Sequence, residues 1–186
     1  MRLHALTSLM IGLLALTGCA NTPYVPDAVH TELVAPYQLD SGDQLRVVVF
    51  GQDDLSNTYV VDQAGTISMP LIGPVPARGY TTAQIESAVA QRLRNGFLRN
   101  PDVSVEVDRY RPFFAMGEVG VPGQFAFVPG MTVQQAIAVA GGFTARADKY
   151  SVEVTRSYGG HVESARLRLS DPVMPGDTLY VRERLI

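Results

Sequence analysis

The chain has 186 residues, with 15 basic and 18 acidic residues, a net charge of −3 and a single cysteine. An acidic balance argues against nucleic-acid binding, because that binding depends on neutralising phosphates with lysine and arginine. A lone cysteine excludes an internal disulfide framework, and the length suits one or two small domains.

Residues 1–18 have the pattern of a secretory signal peptide. Arg2 and His4 precede an apolar run from Ala5 to Leu16, and small residues follow it. The run is shorter than the roughly 20 apolar residues of a membrane-spanning helix. We therefore expect residues 1–18 to be removed, which lowers the basic count from 15 to 14 against 18 acidic residues and gives a formal charge of −4.

Cys19 ends this leader in the motif Leu16-Thr17-Gly18-Cys19, which resembles the lipobox of bacterial lipoproteins. In lipoproteins the cysteine sulfur receives a diacylglycerol, and the chain is cut immediately before that cysteine. The alternative is a stray cysteine behind a standard signal peptide. Because a free thiol in an oxidising compartment is a chemical liability, lipidation is favoured. We expect Cys19 to be the membrane anchor, since two or more acyl chains give stable attachment.

Residues 19–36 are predicted to form a lipidated, extended tether, because the segment contains three prolines and has no apolar periodicity. At about 3.3 Å per residue it reaches roughly 50 Å when fully extended. Ala20 follows the cysteine, and the absence of aspartate there is similar to the outer-membrane sorting pattern of Gram-negative lipoproteins. The predicted location is the outer membrane, facing the periplasm.

Residues 37–109 are predicted to form a first domain, with one helix covering a small sheet. Turn residues bound a strand over Leu45–Phe50, and valines alternate with polar residues in a strand over 102–109. The turn Asp62–Gly65 lies between two further β-rich runs and predicts a hairpin. Prolines 70, 74 and 76 confine the following segment to sheet edges, strand ends or loops.

Two predicted helices carry the same start signal, a threonine followed three residues later by a glutamine, which is a capping box. The first helix starts at Thr81 and stops at Asn95, and the second starts at Thr132 and stops at Gly141. Each has an apolar stripe, and that of the first is narrow enough for a helix that covers a sheet.

Residues 110–186 are predicted to form a second domain of the β-grasp type. A hairpin, one helix and then further strands is the element order of that fold, so the fold class of the chain is α+β. The predicted strands are Phe113–Val119, Gln124–Phe127, Ser151–Arg156, Val162–Leu169 and Thr178–Arg182.

The two domains closely resemble, in order, those of the bacterial polysaccharide export lipoproteins, the outer-membrane polysaccharide exporters. Three stretches resemble their export domain: YQLDSGDQLRVVVFGQDDLS, VVDQAGTISMPLIGPVPARGYTTAQI and NPDVSVEV. Two more resemble a soluble-ligand-binding β-grasp (SLBB) domain: YRPFFAMGEVGVPGQFAFVPGMTVQQAIAVAGGFTARA and PGDTLYVRERL. The resemblance runs from Tyr37 to the end of the chain.

The resemblance implies a homo-oligomeric ring, lipid-anchored at the outer membrane, through which a capsular polysaccharide or exopolysaccharide leaves the cell. It implies an inner-membrane polysaccharide co-polymerase as partner and no enzymatic step. A second functional class stays open, namely a lipid-tethered ligand-binding or scaffolding module of the envelope that conducts no polymer.

Large members of the family add another β-grasp domain and an amphipathic C-terminal helix that forms the membrane pore. This chain stops at Ile186, directly after the last predicted strand. We therefore expect that it does not perforate the outer membrane alone, and that it acts with a separate outer-membrane pore protein or as a periplasmic collar.

Catalytic, cofactor and metal sites are not indicated by any motif. His30 lies in the tether and His161 beside a predicted turn, so the histidines form no acid–base pair or metal cluster by spacing. The acidic segments Asp40–Asp43 and Asp53-Asp54 lack the ligand spacing of a calcium loop and predict turns.

Arg109, Tyr110 and Arg111 are the candidate contact residues, at the point where the first domain passes into the second. They can stack on sugar, or pair with carboxylates of a neighbouring subunit. They can equally serve only to join the two domains, and the sequence leaves these interpretations open.

Overall fold

The computed structural model describes residues 36–158 and 161–185. Two hydrophobic cores lie within them, one built from residues between Leu39 and Val105 and the other from residues between Phe113 and Val181. Cys19, the signal peptide and the tether up to residue 35 lie outside the described residues. The domain limits 37–109 and 110–186 stay a prediction.

The first core rests on a three-stranded antiparallel sheet in the order β2–β1–β5. β1 spans Gln44–Val49, β2 Asn57–Val60 and β5 Val103–Arg109, and a short 3-10 turn at Asp53–Leu55 connects the first two. Alternate residues of β1 are buried, as the period of two along a strand requires.

The hairpin predicted around Asp62–Gly65 is wrong in its strand pairing, although the turn itself forms. The Asp62 carboxylate accepts hydrogen bonds from the N–H and the hydroxyl of Thr66, both at 2.8 Å. Beyond this turn β2 pairs with β1, whereas β3 (Thr66–Met69) pairs with β4 (Gly73–Pro76) in a separate two-stranded sheet. Ile67 and Met69 are buried in the first core, against which Tyr59 of β2 also packs, so β2 and β3 share a core although they belong to different sheets.

Two of the three prolines lie in an edge strand of this small sheet, which is one of the positions to which the sequence confined them. Pro74 and Pro76 are residues of β4, which has β3 as its only neighbouring strand among the described residues. A strand with a single partner tolerates proline because one of its edges needs no backbone donor.

Both predicted helices begin at the expected residues, and both capping boxes form. α1 spans Thr82–Arg94, where Thr81 and Gln84 exchange side-chain and backbone hydrogen bonds. α2 spans Val133–Val139, where Thr132 and Gln135 do the same. The buried residues are Ile85, Val89 and Leu93 in α1 and Val133, Ala136 and Ile137 in α2.

The second core lies between α2 and a five-stranded sheet in the order β7–β6–β10–β8–β9. β6 and β10 run parallel in its centre, and the other pairs are antiparallel. β6 and β10 are the first and last strands of the second domain, and their parallel pairing beside one helix fits the predicted β-grasp fold. The predicted α+β fold class is confirmed. The strands are β6 Phe113–Gly117, β7 Gly123–Phe125, β8 Val152–Tyr158, β9 His161–Leu167 and β10 Thr178–Val181.

Candidate functional site

Asp43, a fully buried carboxylate, is the centre of the junction between the two domains. Its Oδ2 accepts hydrogen bonds from the Tyr37 hydroxyl at 2.7 Å and from the Asp40 N–H at 2.9 Å. Its Oδ1 accepts the N–H of Arg111 at 2.9 Å, and the Arg111 guanidinium lies 3.3 Å from Oδ2. A buried charge is costly unless it is both paired and hydrogen-bonded, and Asp43 meets both conditions.

Arg111 connects the domains through its side chain as well as its backbone. Its Nη1 donates to the Tyr37 hydroxyl at 2.8 Å, and its Nη2 lies 3.7 Å from the Asp40 carboxylate. A methyl group added at Gly42 would lie 3.5 Å from the Arg111 Cβ, and one added at Gly176 would collide with the guanidinium end. Glycines from both domains therefore enclose this side chain.

Three aromatic rings continue the junction beside this ion pair. Tyr37 and Tyr110 meet edge to face with their ring centres 5.1 Å apart, and Tyr110 and Phe127 do so at 5.4 Å. Edge-to-face pairs at these distances add to the stabilisation from burial. Because Phe127 belongs to the second domain, the row of rings crosses the junction.

The phenols at the junction remain protonated at neutral pH. Burial raises the pKa of Tyr37 well above its ordinary value, the negative charge of Asp43 raises it further, and Arg111 opposes both effects. Burial also raises the pKa of Tyr110, with Asp43 as the second cause. A general base needs a pKa near the working pH, so these groups are suited to holding the domains together and not to proton transfer.

The second domain contains a counterpart of the Asp43 turn. Gly42-Asp43 directly precedes β1, and Gly176-Asp177 directly precedes β10. Asp177 is fully buried, accepts the N–H of Met174 at 2.8 Å, and accepts two bonds from Arg156 at 2.8 and 2.9 Å. Each aspartate thus accepts the N–H three residues earlier and pairs with an arginine.

The three candidate contact residues have different surroundings. Arg111 and Tyr110 lie inside the junction, with the contacts described above. Arg109 is exposed at the end of β5, opposite Gln44 of β1. Contact of these residues with sugar or with a neighbouring subunit stays a prediction.

His161, the described member of the three other residues considered from the sequence, does not lie at the junction. Cys19 and His30 lie outside the described residues, and His161 is exposed at the start of β9. Within residues 36–158 and 161–185, no three histidine, cysteine, aspartate or glutamate side chains gather where they could hold a metal ion.

Sequence reasoning missed the roles of Tyr37, Asp43 and Asp177, since it assigned the acidic segments to turns alone. The signal was present as a repeated pattern, because SGDQL and PGDTL both place Gly-Asp before a strand with a buried leucine two residues after the aspartate. An aspartate repeated at the same offset from a core strand indicates a buried carboxylate that organises its turn.

Comparison with known families agrees with this two-domain architecture. The model of the family described as polysaccharide biosynthesis/export protein matches residues 32–108, and that of the SLBB domain matches residues 116–167. The chain therefore contains one export domain of the polysaccharide biosynthesis/export family, followed by one SLBB domain. This is a family of export and transport proteins, and its members are associated with the cell envelope.

Two curated relatives bear names that agree with the family. The chain is 33% identical over 124 residues to the exopolysaccharide production protein ExoF of Rhizobium meliloti (strain 1021), over 60% of this chain and 29% of that protein. It is 26% identical over 160 residues to the polysialic acid transport protein KpsD of Escherichia coli, over 80% of this chain and 28% of that protein. The chain therefore spans less than a third of the length of these relatives.

In the part of the chain that the structure describes, no helix is long and apolar enough to cross a bilayer.

Proposed function

We propose that this chain is a lipid-anchored component of a polysaccharide export channel, in which identical subunits form a ring that conducts a capsular polysaccharide or exopolysaccharide. Membership of the export family supports the substrate class. The proposal of a ring is supported by the buried contact between Asp43 and Arg111, because this contact joins the two domains into one unit. A ring closes only if every subunit presents its two contact surfaces at the same angle.

The proposed attachment to the outer membrane is through Cys19 and the tether that follows it. Tyr37, at the folded end of the tether, is hydrogen-bonded to Asp43 and Arg111, so the tether meets the body at the domain junction. Residues 20–36 reach roughly 50 Å at full extension. In this proposal the ring faces the periplasm and stays within that distance of the membrane.

The transported polymer is neither cut nor extended by this chain in the proposed function. A hydrated polysaccharide moving through a ring needs a surface that contacts it weakly, because tight binding would stall it. The proposed donor of the polymer is an inner-membrane polysaccharide co-polymerase. The separate outer-membrane pore protein expected from the sequence stays a prediction.

Two measurements test this function. The lipidated protein in mild detergent should form a ring-sized particle by native mass spectrometry, and deletion of its gene should abolish secreted polysaccharide while polymer accumulates in the cell. A monomer at every concentration, together with normal secretion after deletion, would instead support the tethered ligand-binding or scaffolding module.

The pore prediction is tested separately from the ring. The lipidated protein is reconstituted alone into liposomes that contain fluorescent dextran, and retention of the dextran is expected. Rapid leakage would show that the protein perforates a bilayer by itself, which would remove the need for a separate pore protein.

A further inference from the structure

On the outer face of the five-stranded sheet, which points away from α2, the adjacent strands β6 and β10 carry three large apolar side chains. Phe114 and Met116 of β6 and Tyr180 of β10 are 39%, 49% and 47% exposed. The strand register places Tyr180 beside Met116, and Phe114 is the diagonal neighbour of Tyr180. Their inward neighbours Phe113 and Leu179 are buried, so the two faces of the sheet differ because side chains alternate along each strand.

The same face continues into a polar half on the neighbouring strands. Tyr180 lies opposite Glu153 of β8, and Glu153 lies opposite Arg166 of β9. The Glu153 carboxylate is 2.5 Å from the guanidinium of Arg182 and 4.0 Å from that of Arg166. In the next row Thr155 and Ser164 place their hydroxyl oxygens 3.4 Å apart. Acceptors, charged donors and hydroxyls thus flank the aromatic half.

The outer face of the first sheet provides a comparison within the same chain. It centres on Arg46 of β1, which lies 3.3 Å from Glu106 and 4.0 Å from Asp108 of β5. Val60 at its edge is 53% exposed. The outer face of the second sheet differs from this one, because it has aromatic and sulfur side chains in adjacent rows. Contact with solvent therefore does not by itself explain why these side chains are exposed on the second sheet.

The apolar area is too small for a stable protein interface. Aromatic and methionine side chains of about 200 Å² each, exposed by two fifths to a half, present on the order of 300 Å² together. A stable interface buries about 800 Å² on each partner, of which more than half, about 450 Å² or more, is apolar. The charges on the polar half are already paired within the chain, so they need no second protein to neutralise them.

Sugar rings fit both halves of this face. A pyranose has an apolar surface of C–H groups, which stacks on the rings of Phe114 and Tyr180, and a rim of hydroxyls that both donate and accept. Glu153 accepts from such hydroxyls, while Arg166 and Arg182 donate to them. We infer that the outer face of the second sheet is a weak contact surface for the transported polysaccharide. This inference rests on the proposed function and adds the residues that touch the polymer.

Site-specific photocrosslinking in cells that make the polymer tests this surface. A benzophenone amino acid replaces Tyr180 or Phe114 in the full lipidated chain, and Val60 is the matched control because it has similar exposure on the other sheet. After illumination, adducts are purified and assayed for carbohydrate and for protein mass. About fivefold more carbohydrate-bearing adduct is expected at the two aromatic positions than at position 60.

A double variant, Phe114→Ser with Tyr180→Ser, provides the functional measurement. We expect several-fold less secreted polymer with an unchanged particle size and melting temperature, while Val60→Ser secretes normally. Carbohydrate-free adducts with a second copy or with another protein would overturn the inference, as would equal carbohydrate at position 60 or normal secretion by the double variant. Failure of the proposed function would give a different result from failure of this inference. In that case the unmodified protein would be monomeric, and deletion of its gene would leave secretion of the polymer intact.

Discussion

Arg111 and Asp43 are joined twice across the domain junction, although 68 positions separate them along the chain. The Arg111 N–H donates to Oδ1 at 2.9 Å, and its guanidinium lies 3.3 Å from Oδ2. Because one contact uses the backbone and the other the side chain, both the path of the chain at Arg111 and the position of its guanidinium depend on a single buried carboxylate. The orientation of the two domains therefore depends on this pair.

Replacement of Asp43 by alanine should lower the free energy of unfolding by about 3 kcal/mol, since Arg111 and Tyr37 would lose their buried partner. Urea denaturation measures this change. The control is Glu106→Ala, which removes an exposed ion pair with Arg46 and should cost less than about 1 kcal/mol. Equal losses for the two variants would contradict a special role for the junction.

The free energy of unfolding should fall as the pH rises above the ordinary tyrosine pKa of 10.0. The pKa of Tyr37 is raised in the folded state, so the unfolded chain loses its proton first and the folded chain binds more protons. The contribution of Tyr37 to the free energy of unfolding is thus fully present below pH 10.0, and it is lost progressively as the pH rises above that value. Denaturation at several pH values measures the slope, which should be about 1.4 kcal/mol per pH unit smaller in Tyr37→Phe. An unchanged slope would show that Tyr37 ionises equally in both states.

Gly117→Ala should disrupt the central parallel pair of the second sheet. Gly117 has a φ of +81°, and an added methyl group would overlap the backbone carbonyl of Val181 in β10. Gly51→Ala is the matched control, because Gly51 has a φ of +73° but open space around it. We expect a loss of about 1–2 kcal/mol from backbone strain at Gly51 and a clearly larger loss at Gly117, measured by thermal unfolding. If Gly117→Ala and Gly51→Ala lost similar amounts of stability, the added methyl group would have displaced β6 from β10 without a further loss of stability.

Cys19→Ser should release the protein from the membrane fraction while leaving both domains folded. Removal of the thioether removes the acyl chains, whose burial contributes about 0.8 kcal/mol for each methylene. Membrane fractionation and circular dichroism of the released protein measure the two effects. A Cys19→Ser protein that still sediments with the outer membrane would contradict the lipid anchor.

The predicted elements depend mostly on signals that are local in the chain. Each capping box joins a threonine to a glutamine three residues away, so the sequence itself contains the whole interaction. The alternation of Val103 and Val105 likewise predicts one buried face without reference to another strand. These signals located both helices and most strands to within a few residues.

The incorrect hairpin shows where local signals are insufficient. The turn at Asp62 forms as predicted, but β2 and β3 continue into different sheets. β2 pairs with β1, which precedes the turn, and β3 pairs with β4, which follows it, so each partner lies on its own side of the turn and not across it. Turn chemistry specifies where a chain reverses but does not specify which strand lies beside it.

By itself, the sequence determined the fold class, the helix starts and the resemblance to the export proteins, and it showed a motif that resembles a lipobox, because each depends on neighbouring residues or on their order. Only the tertiary structure decided that Asp43 and Arg111 are partners and that Phe114 and Tyr180 share an exposed face. Burial of a charge and the register of two strands are properties of segments distant in sequence. They arise only when those segments pack around a common core.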